Sequence, residues 1–225
     1  EPLSVTLSVL NGTSYRYFSA PDPQRLEELI QGFSGEYAAV WMSRGGSGLA
    51  RLLPHIPWEK LAPVPFLGFS DGTALLNALA VRGLPAVHAP VVQTLADHLD
   101  EESREALQKF LKGDSVPLTG ETWVEGQLQG EIVGGNLCVL SSLCGTPWQV
   151  SARNKILLLE DIQEPPYKID RMLTQLKQAG VLEGARGFAL GQFTGCQRRC
   201  PGTHQLATNF GLEGLETSMI CTQLQ

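Results

Sequence analysis

Apolar positions recur along this chain at two different spacings. Leu26, Leu29, Ile30 and Phe33 stand at i, i+3, i+4 and i+7, which predicts one apolar helical face between Pro23 and Gly35. Ala38 to Met42 reads as a buried strand and Arg44-Gly-Gly-Ser-Gly48 as a tight loop. Leu49, Leu52 and Leu53 form a short helix stopped by Pro54. Val64 to Phe69 predicts the next strand, Thr73 to Arg82 a helix closed by Gly83, and Ala86 to Pro90 another short strand. Strands separated by helices of this length indicate parallel βαβ units.

Residues 97–113 read as an exposed linking helix with Leu107, Phe110 and Leu111 on its apolar side. The texture changes after Pro117. Trp123 to Val133 resembles strands broken by glycines, and Gly134-Gly-Asn-Leu137 opens a short apolar helix ending at Gly145-Thr-Pro147. Lys155 to Glu160 is a buried strand. Pro166 to Ala179 is an amphipathic helix with Ile169, Met172, Leu173 and Leu176 on one side and Gly180 as its stop. From Gly195 onward neither period persists. The expected organisation is an α/β domain over residues 1–97, a linking helix and linker over 98–120, and a second domain over 121–225.

Composition narrows the function classes. The 225 residues are 43% hydrophobic, with no apolar run near the roughly 20 residues of a membrane span, and the N-terminus lacks a signal-peptide layout. A net charge of −6 argues against a nucleic-acid surface, because phosphate binding needs clustered Lys and Arg. Five cysteines without framework spacing suggest free thiols in a reducing cytoplasm.

The candidate chemistry centres on Gly68-Phe-Ser-Asp-Gly72, between a predicted strand and a predicted helix. A serine flanked by glycines at such a junction has the sequence form of a nucleophile elbow, which exposes the hydroxyl and brings backbone N–H groups near an attacked carbonyl. The competing reading of Ser70 is a turn serine that caps the helix. A nucleophilic serine needs a base, and the base needs a third group to orient it. Of the four histidines, His55 reads as a structural corner, His88 as a packed and hydrogen-bonded ring, and His98 as a solvated linker residue. His204 alone follows both the serine and the candidate acid, Glu160, which stands at the carboxyl end of its strand. Glu160, Asp161 and Glu164 also fit a polar loop leaving a strand. Arg44-Gly-Gly-Ser-Gly48 lacks the Lys-Ser/Thr of a phosphate loop, and Cys196, Cys200 and His204 form at most a partial zinc pattern without a fourth ligand.

Several blocks together carry a family resemblance: Val40 to Pro54, Gly68 to Leu75, Gly134-Gly-Asn-Leu137 with Gly145-Thr-Pro147, Ile156 to Asp161, and Tyr167 to Leu176. In order and spacing they resemble the LD-carboxypeptidases, serine peptidases of muropeptide recycling that include the microcin C immunity peptidases. The resemblance implies a flavodoxin-like N-terminal α/β domain, a smaller β-rich C-terminal domain and a cleft between them. It implies a Ser-Glu-His triad with Ser70 as nucleophile and Glu160 as acid, and oxyanion donors from the backbone of Asp71 and Gly46. It implies a dimer that removes a terminal D-alanine from an L,D-peptide bond without a metal or other cofactor.

The chain enters near the family's second strand, so the first strand and helix are expected to be missing. No Gly-His pair follows Gly191-Gln-Phe-Thr194, and the base is carried onto His204. Arg44 and Arg171 are the candidates for receiving the substrate carboxylate. The expected partner is a small peptide, muropeptide or peptidyl-nucleotide, with no nucleic acid and no membrane. Two other readings remain at this level: an impaired family member that binds without turnover, and an unrelated α/β-hydrolase esterase.

Overall fold

The computed structural model describes residues 18–97, 99–114, 116, 120–125, 127–196 and 218–222. The first sheet is parallel, in the order β1 (Val40–Trp41), β2 (Phe66–Gly68), β3 (Ala86–His88). Helix α1 (Asp22–Gly32) precedes it, α2 (Leu49–Leu52) lies between β1 and β2, and α3 (Thr73–Ala80) between β2 and β3. Phe33, Leu53, Phe66, Leu75 and Leu79 are buried together, so the predicted apolar faces meet in one core. α3 is apolar nearly all round, and every residue from Thr73 to Leu79 is buried.

The predicted linking helix over 97–113 is present but shorter, and a separate short helix precedes it. α4 covers Val92–Asp97, and α5 covers Glu101–Leu111, starting where the Asp100 carboxylate accepts the Ser103 amide at 2.8 Å. An N-cap of this kind satisfies an amide that the first turn leaves open, so α5 begins there.

Among the described residues the second sheet has five strands. β4 (Gly120–Val124), β5 (Ile132–Asn136), β6 (Ile156–Ile162), β7 (Gly187–Thr194) and β8 (Ser218–Thr222) lie in the order β4-β8-β7-β6-β5. Of these five, β4 runs antiparallel to its neighbour and the others run parallel to one another. α6 (Leu137–Ser142) and α7 (Pro166–Gln178) pack here, and Leu137, Leu157, Ile169, Leu176 and Phe188 form a second core.

Two expectations need correction. Gly134-Gly-Asn136 does not open a helix: it is the end of β5, and only Asn136 caps α6, its side chain accepting the Val139 amide at 3.1 Å. The region after Gly195 is not without regular structure, because β8 completes the sheet between β7 and β4.

Candidate active site

Ser70 sits at the carboxyl end of the central strand β2, in a single 3₁₀ turn (Ser70–Gly72) that leads into α3. Its φ is +58°, a backbone conformation that L-residues other than glycine, Asn and Asp seldom adopt. No side-chain bond caps this turn or α3, so helix capping does not explain the serine. Among the described residues its hydroxyl has no hydrogen-bond partner. Two glycines let the strand and turn pass close to their neighbours: a Cβ on Gly68 or Gly72 would press on the Met42 sulfur at 2.9 or 2.6 Å.

The Arg44–Gly48 loop lies against this serine. A Cβ on Gly45 would stand 3.5 Å from the Ser70 Oγ. Gly46 has a φ of +147° with open space around its Cα, and its amide meets no acceptor among the described residues. The Asp71 carboxylate is buried and its Oδ2 accepts the Leu49 amide at 2.9 Å. Burial raises its pKa, opposed by the amides of Leu49 and Gly48 and by Arg25.

Glu160 lies within β6 rather than at its end, because the strand continues to Ile162. It is buried, and its Oε1 has no hydrogen-bond partner among the described residues. Desolvation and the neighbouring Asp161 push its pKa up to about 7, and a hydrogen bond from Asn136 opposes the shift. The β6–β7 register shifts between Leu159 and Asp161. A bulge of this kind re-aims side chains, and a Cβ on Gly191 would come within 3.0 Å of the Glu160 Cβ. Asp161, by contrast, is well supplied: it accepts Asn136 Nδ2 at 3.0 Å and the amides of Cys138 at 2.9 Å and Ile162 at 2.8 Å.

The Gly-Gly-Asn end of β5 joins the serine's helix to the acid's sheet. Asn77 of α3 accepts the Gly134 amide at 2.8 Å and donates Nδ2 to the Gly134 carbonyl at 2.9 Å. Thr73 Oγ1 accepts the Asn136 amide at 2.9 Å, and Asn136 stands opposite Glu160 in the ladder. Both glycines have positive φ. A Cβ on Gly134 would overlap the Leu158 carbonyl oxygen, and one on Gly135 would press on Thr73. The spacing of Thr73, Asn77 and Asn136 gave no hint of this joint, since no local period links them.

The other candidates are scattered. His204, Cys200 and His98 lie outside the described residues. Arg44 is exposed on the glycine loop, and Arg171 is exposed on α7 with its guanidinium over the Tyr167 ring at 5.6 Å. His55 is exposed at the end of a 3₁₀ turn. His88 departs from expectation. Its ring packs edge-on to Phe69 at 5.1 Å, but its Nδ1 is shielded from solvent and has no partner among the described residues. Desolvation brings its pKa down to about 4, so the ring is neutral near pH 7. Among the described residues no group of three His, Cys, Asp or Glu side chains could hold a metal ion.

A family model described as the LD-carboxypeptidase N-terminal domain matches residues 3–89, and one described as the LD-carboxypeptidase C-terminal domain matches residues 129–217. The chain is 40% identical over 186 residues to a Synechocystis protein named as a carboxypeptidase, covering 81% of this chain and 62% of that protein. It is 35% identical over 213 residues to the murein tetrapeptide carboxypeptidase of Pseudomonas aeruginosa, covering 88% and 69%. Among solved structures, the muramoyltetrapeptide carboxypeptidase from Oxalobacter formigenes matches with a TM-score of 0.69 at 30% identity, covering 84% of this chain and 68% of that one. The chain thus spans 62% and 69% of the lengths of the two curated relatives.

Proposed function

We propose, since this chain belongs to the LD-carboxypeptidase family, that it is a serine carboxypeptidase cleaving an L,D-peptide bond to release the terminal D-alanine of a muropeptide. Ser70 is the nucleophile. Its Oγ attacks the amide carbonyl while its proton passes to an imidazole, and the tetrahedral oxyanion is held by the amides of Asp71 and Gly46. The imidazole is assigned to His204, and Glu160 orients it and balances its charge once it is protonated. The leaving amine then takes the proton, and water completes the cycle on the acyl-serine.

The observation that carries this reading is the Ser70 backbone at φ +58° beside the glycine loop. Strain of this kind costs about 1–3 kcal/mol and clusters at functional sites. The buried Oε1 of Glu160, without a partner among the described residues, supports it, because a triad acid needs a free acceptor for an imidazole N–H. Arg44 and Arg171 are the proposed cationic receivers of the substrate carboxylate; loss of the one that serves should raise KM more than it lowers kcat.

The test is release of D-alanine from a purified muropeptide tetrapeptide, with Ser70→Ala in parallel. The expected result is turnover by the native chain and a fall of about 10³-fold or more in the variant, the size of losing a triad member. Turnover that survives Ser70→Ala removes the serine from the mechanism.

A further inference from the structure

The carboxylate next to the serine is spent on the loop facing it. Asp71 is only 8% exposed, and its Oδ2 accepts the Leu49 amide, 22 residues earlier in the chain, at 2.9 Å. The Gly48 amide is near enough to the same carboxylate to help lower its pKa against the effect of burial. From the opposite side Arg25 donates Nη2 to the Gly48 carbonyl at 3.3 Å, and its guanidinium is braced by Asp22. The Gly48–Leu49 peptide link is therefore held from both sides, its carbonyl oxygen by Arg25 and its N–H by Asp71. A side chain there would meet Arg25 at 3.0 Å and Phe18 at 2.7 Å. Two residues upstream is Gly46, with its amide unused among the described residues, and Gly45 lies against the Ser70 hydroxyl.

An oxyanion donor accelerates a reaction only if it is already in place when charge develops. A segment with glycines at 45, 46 and 48 has little stiffness of its own, since glycine loses the most conformational freedom on ordering. If Asp71 merely capped its own helix, its acceptor would face amides of that turn; it faces the loop instead. We propose that the Asp71 side chain is a positioning residue for the oxyanion hole. Its carboxylate fixes the Gly45–Leu49 loop so that the Gly46 amide is held in register with the Asp71 amide, one residue setting both donors. This deepens the serine-peptidase reading and rests on it.

The test compares wild type, Asp71→Asn, Asp71→Ala and Ser70→Ala in two measurements. One is steady-state hydrolysis of a muropeptide tetrapeptide. The other is inhibition by a peptidyl aldehyde, whose adduct with a serine places an oxyanion in the same pocket. Asp71→Ala is expected to lower kcat by about 10²-fold, the scale of one misplaced donor, with KM nearly unchanged. Aldehyde affinity should fall by about the same factor as kcat/KM. Asp71→Asn keeps one acceptor for the Leu49 amide and should recover part of both losses. Asp71→Asn also decides the matter if the alanine variant does not fold.

A folded Asp71→Asn or Asp71→Ala protein with wild-type kcat and aldehyde affinity overturns the inference. So does a loss confined to KM or to thermal stability. Ser70→Ala separates the two failures. Turnover surviving in it overturns the serine reading, whereas an inactive Ser70→Ala beside an unimpaired Asp71→Asn overturns the positioning role alone.

Discussion

Ser70 and Glu160 are each held in a state that costs the fold something. A Cβ at φ +58° is strained whether it carries a hydroxyl or a hydrogen, so Ser70→Ala keeps the strain and Ser70→Gly removes it. Denaturant melts should find Ser70→Gly more stable than Ser70→Ala by about 1 kcal/mol, with neither releasing D-alanine. For Glu160 the cost depends on pH. Its ordinary pKa of 4.5 is pushed up to about 7 by burial and by Asp161. The folded chain therefore keeps a proton that the unfolded chain loses first. Stability from this group is full below pH 4.5, declines as pH rises toward 7, and is flat above, a fall of up to about 3 kcal/mol. Glu160→Gln should flatten part of that decline in melts across this window and abolish turnover. The glycine-flanked serine was legible in the sequence because its turn is local. The Glu160 oxygen that has no partner among the described residues was not, since it depends on what the bulge between β6 and β7 presses against it.

Single elements followed their local signals closely and departed where distant contacts took over. α1 and α7 lie where their 3.6-residue periods predicted them, and α3 where the apolar run before Gly83 placed it. Gly134-Gly-Asn136 went the other way. Two glycines before an apolar run resemble a helix entry, but positive φ at both lets β5 approach Leu158 and Thr73 closely. Gly134→Ala should therefore cost more than about 3 kcal/mol or prevent folding, because the new methyl meets the backbone of β6. Asn77→Leu leaves both backbone groups of Gly134 without their partner, and chemical denaturation should record a loss of about 2–4 kcal/mol. β8 escaped sequence reading for a similar reason. Its strand character comes from a place between β7 and β4 that its own composition does not announce.

At the scale of the molecule, two sheets meet along α3. Polar bonds from Thr73 and Asn77 hold one part of that seam, and an aromatic sandwich holds another. Arg82, just past α3, lies over the Trp58 ring at 4.0 Å and the Trp148 ring at 5.0 Å, and so links the first half to the loop after α6. Arg82→Ala should cost about 0.5–1 kcal/mol, seen as a small drop in Tm, with kcat unaffected. The seam also has a bearing on the life of the chain in the cell. Ribosomes deliver polypeptides amino end first, so the elbow and its glycine loop leave the exit tunnel well before β6 has been translated. On the proposed mechanism the Ser70 hydroxyl then waits without its carboxylate until Glu160 has been made and Gly134 has docked on Asn77. On that reading a nascent chain stays chemically idle until the half made later supplies the acid.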